Sequence, residues 1–107
     1  MVTKIFPKEF IIGTAVASYQ VEGGIYNNDW TAWERNKNSK CEELCAEACK
    51  HYELVDEDIK LIKKLGIKAF RFSIEWSRVE PQKNKFDQNA IEHYVKKTQK
   101  LIENNIE

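Results

Sequence analysis

Three cysteines carry side chains that could bind a metal ion. Cys41, Cys45 and Cys49 follow one another at four-residue intervals, which would place their thiols on one side of a helix if this segment is helical. Three thiolates could hold zinc or an iron–sulfur cluster, but such sites usually contain cysteines two residues apart, and the nearest fourth ligand is His51. Small apolar side chains on a packed face are the favoured interpretation. The odd count gives no indication of a disulfide framework.

A second set of polar side chains lies on one face of a predicted strand between Ile67 and Pro81. The residues of this stretch alternate in character, as the two-residue repeat of a β-strand requires. The apolar face carries Phe70, Phe72, Ile74 and Trp76, and the opposite face carries Ala69, Arg71, Ser73 and Glu75. A buried arginine needs a partner, so an ion pair between Arg71 and Glu75 is one interpretation of the polar face.

The first half of the chain contains a predicted strand, a loop and a helix. The apolar run Ile11–Ala17 predicts a strand buried on both faces, and the polar residues and glycines of Ser18–Gly24 predict a loop at its carboxyl end. Residues 25–40 predict a long loop with one helical turn. Apolar spacing predicts a helix from about Glu53 to Leu65 that is stopped by Gly66. Its predicted buried stripe consists of Leu54, Val55, Ile59, Ile62 and Leu65.

A second helix follows the strand, with Asp87 as its predicted N-cap and Asn104-Asn105 as its stop. Its predicted stripe consists of Ile91, Tyr94, Val95, Thr98, Leu101 and Ile102. A helix that enters a strand through one glycine, after an earlier strand, is typical of a βαβ unit with parallel strands. Ile106-Glu107 stands where the next strand of an alternating fold should begin, so we interpret the chain as truncated.

The composition excludes several classes of partner. The 107 residues include 17 basic and 17 acidic side chains, which cancel, so long-range attraction to nucleic acid or to an anionic membrane is not expected. The apolar fraction of 42% indicates a folded globular protein, either a single domain or part of a larger one. The longest apolar run is too short to span a bilayer, and no signal-peptide pattern opens the chain, so a cytoplasmic protein is expected.

Two blocks of the sequence resemble a known family. The stretch Phe10–Gly23, which reads FIIGTAVASYQVEG, resembles the N-terminal signature of glycoside hydrolase family 1, the β-glucosidases, 6-phospho-β-glucosidases and their relatives. The stretch Asp58–Arg78 resembles the next segment of the same family. One departure is Ile12, where the family usually has an aromatic residue. The resemblance extends from Phe6 to Glu107 and corresponds to the first quarter or so of a complete enzyme.

The resemblance implies an α/β fold, namely the N-terminal portion, about two βα units, of an incomplete (β/α)8 TIM barrel. Residues 1–107 would form the truncated N-terminal part of the catalytic barrel, since a closed barrel usually needs about 250 residues. The full-length protein would be a retaining β-glycosidase that hydrolyses β-linked glucosides or galactosides without a metal or cofactor. Its partner would be a β-glycoside or oligosaccharide substrate.

Both catalytic carboxylates are expected downstream of this chain. Retaining glycosidases need an acid/base and a nucleophile roughly 5 Å apart. In the family these glutamates lie in an Asn-Glu-Pro and a Glu-Asn-Gly segment. Glu103-Asn104-Asn105 mimics the second segment but lacks its glycine and lies at the end of a predicted helix, whereas barrel active sites lie at the carboxyl ends of strands. The chain alone is therefore expected to be inactive.

Three residues are assigned roles through the resemblance. In the family, the glutamine that matches Gln20 forms hydrogen bonds with sugar hydroxyls. An amide suits this role because it both donates and accepts hydrogen bonds. The alternative role for Gln20 is structural, with its side chain hydrogen-bonded to the backbone of its own loop. The arginine that matches Arg71 points into the barrel and keeps the nucleophilic glutamate ionised. Trp33 could flank the aglycone, although a core tryptophan is the favoured interpretation. The remaining matched residues, interpreted as structural, are Glu22, Glu75, Trp76 and Arg78.

An alternative of another class is a non-catalytic half-barrel. Two parallel strands have two unpaired edges, so such a fragment could self-associate or pair with a complementary chain. The sequence leaves open which sugar and aglycone are preferred and whether the substrate carries a phosphate. His51 and His93 are given no functional role, and His93 is predicted to lie at the boundary of the second helix with solvent.

Overall fold

The computed structural model describes residues 3–107, so Met1 and Val2 of the predicted domain lie outside the described residues. Within these described residues, two short strands and five helices follow one another in the order β-α-α-α-β-α-α. The elements are β1 (Gly13–Ala15), α1 (Ser18–Val21), α2 (Asp29–Glu34), α3 (Val55–Lys64), β2 (Ala69–Arg71), α4 (Trp76–Val79) and α5 (Gln88–Glu103). The predicted order of strand, helix, strand and helix is confirmed. Helix α2 lies in residues 25–40, where one helical turn was predicted, and α1 and α4 are further short helices in the loops.

The two strands pair in parallel, as the βαβ pattern predicts. Gly13 lies opposite Ala69, and Ala15 lies opposite Arg71. The prediction that the first strand is buried on both faces is wrong for this chain, because all three residues of β1 are exposed. A strand in a parallel sheet becomes buried only when helices and neighbouring strands cover it, and within residues 3–107 β1 has one neighbouring strand.

The strand predicted from Ile67 to Pro81 is much shorter in the structure. Its alternation holds at Phe70, which is buried, and at Arg71, which is exposed. Beyond Ser73 the pattern reverses, since Ile74 is 53% exposed while Glu75 is 8% exposed. The reason is that the backbone leaves the extended conformation and turns into α4, so the two-residue repeat no longer determines which side chains face inward.

Helix α3 forms where it was predicted, and the sequence features used to predict it are present at its two ends. Acidic residues occupy its first turn, Lys63 and Lys64 occupy its last turn, and this distribution complements the helix dipole. Gly66 follows with φ of 72°, the left-handed conformation that a glycine stop provides. The predicted stripe is too wide, because Leu54 and Leu65 are 45% and 74% exposed.

Helix α5 begins at the predicted N-cap, where a carboxylate oxygen of Asp87 accepts hydrogen bonds from the N–H groups of Asn89 and Ala90. It ends at Glu103, and Asn105 has φ of 56°. The buried residues are Ala90, Tyr94, Lys97 and Leu101. The buried face of α5 therefore differs from the predicted one. Val95 and Ile102, which were predicted to be buried, are 49% and 66% exposed, and Lys97 points inward instead.

The core lies between β2, α3 and α5. Its buried members are Val55, Ile59, Ile62, Phe70, Leu101 and Ile106. The chain that follows α5 then reaches β2. The N–H of Glu107 donates to the carbonyl of Lys68 at 2.9 Å, and the N–H of Phe70 donates to the carbonyl of Glu107 at 2.8 Å. This is the bonding of a parallel neighbour, as predicted for a next strand. Among residues 3–107, no helix combines the length and apolar composition needed to cross a membrane.

Candidate functional site

The carboxyl ends of β1 and β2 lie side by side. Their parallel register continues one step past β1, where the N–H of Val16 donates to the carbonyl of Arg71 at 2.9 Å. The segments that follow both strands therefore emerge at one edge of the sheet. In open and closed parallel sheets this edge is where binding and catalytic side chains gather.

Hydrogen bonds that involve serine hydroxyls and one carboxylate connect helix α1 to the segment after β2. The N–H of Ser18 donates to Oγ of Ser73 at 2.7 Å, and Oγ of Ser18 donates to Oε2 of Glu75 at 2.9 Å. Oγ of Ser77 donates to the other oxygen of Glu75 at 2.7 Å. Because the two bonds made by Ser18 join residues more than fifty positions apart, they determine where α1 lies relative to β2.

A second buried group holds the carboxyl end of α1. Glu22 is 2% exposed, and its carboxylate accepts hydrogen bonds from Nε of Arg78 at 3.0 Å and from the hydroxyl of Tyr94 at 2.9 and 3.0 Å. The Tyr94 hydroxyl also accepts from the N–H of Glu75 at 3.1 Å. Burial, and then the negative charge of Glu22, raise the pKa of Tyr94, so it stays a donor. We call Glu22, Arg78 and Tyr94 the buried triad.

Gln20 lies on α1 between Ser18 and Glu22, which are both held by the hydrogen bonds described above. Its side chain is exposed, and within residues 3–107 it has no hydrogen-bond partner, so the alternative role of tying down loop backbone finds no contact to support it. A glutamine held on a fixed turn of helix, with its amide free, can donate to and accept from a hydroxylated ligand.

Arg71 is exposed at the end of β2, on the face opposite the buried Phe70. Its Nη1 donates to the carbonyl of Val16 at 3.2 Å. The predicted alternative, an ion pair with Glu75, is wrong, because the Glu75 carboxylate is bonded to Ser18 and Ser77 instead. The positive charge of Arg71 is therefore not neutralised by that neighbour.

Trp33 lies on α2, away from the core. It is 47% exposed and meets Trp30 edge to face at 5.8 Å between ring centroids, so the interpretation as a core tryptophan is wrong. Helix α2 begins at Asn28, whose side chain accepts from the N–H of Thr31. An open cleft beside these loops is lined by Tyr19, Trp30 and Trp76, and Gln20, Arg71 and Trp33 lie outside its lining.

The sequence and the fold match one family. Residues 2–107 match the profile of Glycosyl hydrolase family 1. The chain belongs to this family. Beta-glucosidase A from Acetivibrio thermocellus is 39% identical, with 94% of this chain and 24% of the relative covered. Myrosinase 1 from Brevicoryne brassicae is 37% identical, with coverage of 94% and 24%. The resemblance seen in the two sequence blocks is thus confirmed.

Solved structures of β-glycosidases have the same fold. A β-glycosidase from Pyrococcus horikoshii superposes with a TM-score of 0.85 at 40% identity, covering 94% of this chain and 23% of its own. The family 1 β-glucosidase from Thermotoga maritima gives a TM-score of 0.85 at 35% identity, with coverage of 97% and 26%. The predicted fold, a portion of a (β/α)8 barrel, is confirmed, and the chain spans about a quarter of the length of these relatives.

The cysteines of this family 1 chain do not form a metal site in the structure. Residues 41–50 are turns and bends, so the helix on which the thiols would share one face does not form. The Cys41 thiol donates to the carbonyl of Glu43, and the Cys45 thiol donates to the carbonyl of Tyr19, both at 2.9 Å. Within residues 3–107, no group of three or more side chains has the arrangement of a metal site.

Glu103-Asn104-Asn105 lies at the end of the sheet opposite to the candidate site. Asn104 caps α5, and its side chain donates to the carbonyl of Lys100 at 2.7 Å. The next residues meet β2 at its amino end, through the bond from Glu107 to Lys68. That this segment only mimics the nucleophile segment stays a prediction.

The sequence-based interpretation missed two buried groups. His51 is 5% exposed, its Nδ1 lies 2.6 Å from Oδ2 of Asp58, and its Nε2 is buried without a partner among the described residues. Lys97 is 2% exposed, and its Nζ lies 4.1 Å from the ring centroid of Phe72. The signal for Lys97 was its spacing, three residues after Tyr94 and four before Leu101, which places it on the inward face of α5.

The ionisation of Lys97 predicts a stability change at alkaline pH. Burial lowers the pKa of Lys97 from 10.5 to about 8, with Glu22 and Asp58 opposing the shift. The unfolded chain therefore binds more protons than the folded chain between these values, and stability rises with pH there. From pH 8 to pH 10 we expect Lys97 alone to contribute a gain of about 2 kcal/mol, before ionisation of Tyr94 in the unfolded chain reverses the trend.

Urea unfolding at pH 8, 9 and 10 measures this gain. Lys97→Met should remove the rise and raise stability at pH 8, because a thioether needs no solvation at this position. Lys96→Met is the matched control, since Lys96 is its exposed neighbour and pairs only loosely with Glu92 at 3.7 Å. An equal pH slope in wild type and Lys97→Met contradicts the assignment.

Proposed function

We propose that this chain is the part of a retaining β-glycosidase barrel that carries Gln20 and Arg71, and that the whole enzyme hydrolyses β-linked glucosides or galactosides. The supporting observation is the pairing of β1 with β2, which brings the segment of Gln20 and the side chain of Arg71 to the same carboxyl edge of a parallel sheet. Family membership and the β-glucosidase names of the relatives support the reaction class.

Gln20 is proposed to bind sugar hydroxyls and Arg71 to hold the nucleophilic carboxylate ionised. Both side chains are exposed, and Arg71 has no carboxylate within salt-bridge distance among the described residues. A guanidinium beside a glutamate favours the charged form, which is the form that attacks the anomeric carbon. Trp33 is proposed to lie on the aglycone side, where an exposed indole face can pack on a sugar or aromatic group.

The nucleophile and the acid/base are proposed to come from residues outside this chain. The two glutamates buried near the strand ends, Glu22 and Glu75, have their oxygens occupied by hydrogen bonds to neighbouring side chains. Carboxylates bonded in this way cannot approach a sugar ring without breaking the contacts that hold α1. The chain alone is therefore expected to be inactive.

A chimera tests this proposal. This chain would replace the matching quarter of the family 1 β-glucosidase from Thermotoga maritima, and hydrolysis of a chromogenic aryl β-glucoside would be measured beside the chain alone. We expect turnover by the chimera and none by the chain. Gln20→Ala and Arg71→Ala should each lower kcat/KM on the order of 10²-fold, because the reacting groups lose their alignment.

Gln99→Ala is the control for these variants, since Gln99 is exposed on α5. Arg71→Ala should also alter the pH profile of kcat/KM, because the nucleophile loses the cation that keeps it ionised. A folded but inactive chimera, or full activity in both site variants, would count against the proposed roles.

A further inference from the structure

Helix α1 is too short to keep its conformation by itself. It is a single turn, Ser18–Val21, with no acidic residue in its first turn and no basic residue in its last. The residue at its N-cap, Ala17, makes no side-chain hydrogen bond to the first amides. A helix of this length forms too few internal hydrogen bonds to offset the cost of ordering its backbone. The conformation of α1 therefore depends on its contacts with other segments.

The contacts at the amino end of α1 lead to one buried carboxylate. The N–H of Ser18 donates to Oγ of Ser73 at 2.7 Å, and the Ser73 hydroxyl donates to Oγ of Ser18 at 3.1 Å. The Ser18 hydroxyl in turn donates to Oε2 of Glu75, which is 8% exposed. A hydrogen bond to an ionised acceptor is stronger than one between neutral groups. Glu75 therefore holds this end of the turn more firmly than another hydroxyl would.

Two further contacts fix the position of Glu75 and connect it to the other end of α1. Oγ of Ser77 donates to Oε1 of Glu75 at 2.7 Å, and the N–H of Glu75 donates to the Tyr94 hydroxyl at 3.1 Å. That hydroxyl donates to the carboxylate of Glu22, the residue that follows α1. A shift of Glu75 would therefore disturb both ends of the turn on which Gln20 lies.

We propose that Glu75 is a positioning residue for the binding of sugar hydroxyls by Gln20, and that it acts through Ser18. This inference rests on the function proposed for Gln20. The Gln20 side chain has no hydrogen-bond partner within residues 3–107, so the backbone of α1 determines where its amide lies. Both oxygens of Glu75 accept hydrogen bonds from serine hydroxyls, so its carboxylate acts on the turn and not on the sugar.

A purely structural role for Glu75 predicts a different result. If Glu75 only stabilised the fold, the effect of removing it would be the same whichever residue stands at position 20. A positioning role predicts that the effect depends on Gln20, because a misplaced amide matters only while the amide is present. Residues that act through one another show non-additive effects in a double-mutant cycle, whereas independent residues do not.

A double-mutant cycle in the chimera with the Thermotoga maritima β-glucosidase separates the two roles. Glu75→Ala, Gln20→Ala and the double variant would be compared by kcat/KM for the chromogenic aryl β-glucoside. We expect Glu75→Ala to lower kcat/KM about tenfold when Gln20 is present and less than about twofold when Gln20 is replaced. Ser18→Ala removes the hydroxyl that connects α1 with Glu75, so it should show the same dependence on Gln20.

Amide exchange in the chain alone tests the physical link without catalysis. The N–H of Glu22 donates to the carbonyl of Ser18 at 2.9 Å across α1, so its exchange with solvent reports opening of the turn. Glu75→Ala should accelerate this exchange at least about tenfold, because local opening becomes easier. Glu92→Ala is the matched control, since it removes an exposed carboxylate on α5 whose partner is Lys96. It should leave both the exchange and kcat/KM unchanged.

Circular dichroism would establish that each variant folds, and Ser18→Ala replaces Glu75→Ala in both experiments if the latter does not. The inference is overturned if the variant lowers kcat/KM by the same factor with and without Gln20, or if the amide of Glu22 exchanges as slowly as in wild type. Full activity of Gln20→Ala, or a folded but inactive chimera, would instead contradict the proposed function, and this inference with it.

Discussion

Gly23→Ala is expected to lower the free energy of unfolding by about 3 kcal/mol. Gly23 has φ of 78°, and a Cβ added there would lie 2.1 Å from the carbonyl oxygen of Glu47 and 2.7 Å from its carbonyl carbon. The left-handed conformation costs a residue with a side chain about 1–2 kcal/mol, and overpacking adds about 1–3 kcal/mol. The obstructing atoms are backbone, so the loop around Glu47 must move.

Gly66→Ala separates these two costs. Gly66 has φ of 72°, but an added Cβ meets nothing within 4 Å. We therefore expect a loss of about 1 kcal/mol, from backbone conformation alone. Urea denaturation of wild type and both variants at constant pH measures the difference. Equal losses for the two variants would mean that the close approach of Gly23 to Glu47 does not exist in solution.

The second large effect is expected at the buried triad. Arg78→Met should destabilise the fold by about 3–5 kcal/mol, because it leaves the Glu22 carboxylate buried without its cation. Arg78 also donates to the carbonyl of Gly23, and its guanidinium lies 3.9 Å from the ring centroid of Tyr52, so its removal frees several groups at once. Thermal and urea unfolding measure the loss.

A double variant tests the electrostatic origin of this effect. Adding Glu22→Gln to Arg78→Met removes the unpaired charge and keeps an acceptor for Tyr94, so part of the lost stability should return. Lys100→Met is the control for losing a cation, because Lys100 pairs with Asp56 at the surface and should cost less than 1 kcal/mol. If the double variant is as unstable as the sum of its parts, packing rather than charge dominates.

The triad connects stability with the candidate site. Glu22 follows α1 directly, and Gln20 lies two residues earlier. Loss of the hydrogen bonds to Glu22 would therefore make α1, which carries Gln20, less well ordered. Arg71 would keep its position at the end of β2. In a functional chimera, changes in the triad should impair the substrate binding proposed for Gln20 more than the nucleophile-supporting role proposed for Arg71.

Local features of the sequence predicted a large part of this fold. The parallel βαβ order, the bounds of α3 and α5 to within two residues, the Asp87 cap and the Gly66 stop all follow from interactions within one or two turns of the chain. The two family signatures identified the barrel. Caps, helix stops and local periodicity act between residues close in sequence, so they can be recognised without knowing which distant residues pack together.

The sequence alone thus determined the two strands and the two long helices, their order and the family, whereas the tertiary structure decided where the second strand ends, which faces are covered and which polar groups meet. Periodicity defines the faces of a strand or helix, but burial depends on neighbours from other parts of the chain. That is why β1 is exposed, why Glu75 turns inward to Ser18, and why Lys97 is buried. The positions of Gln20 and Arg71 depend on the same contacts, since bonds across more than fifty residues hold the two strand ends together.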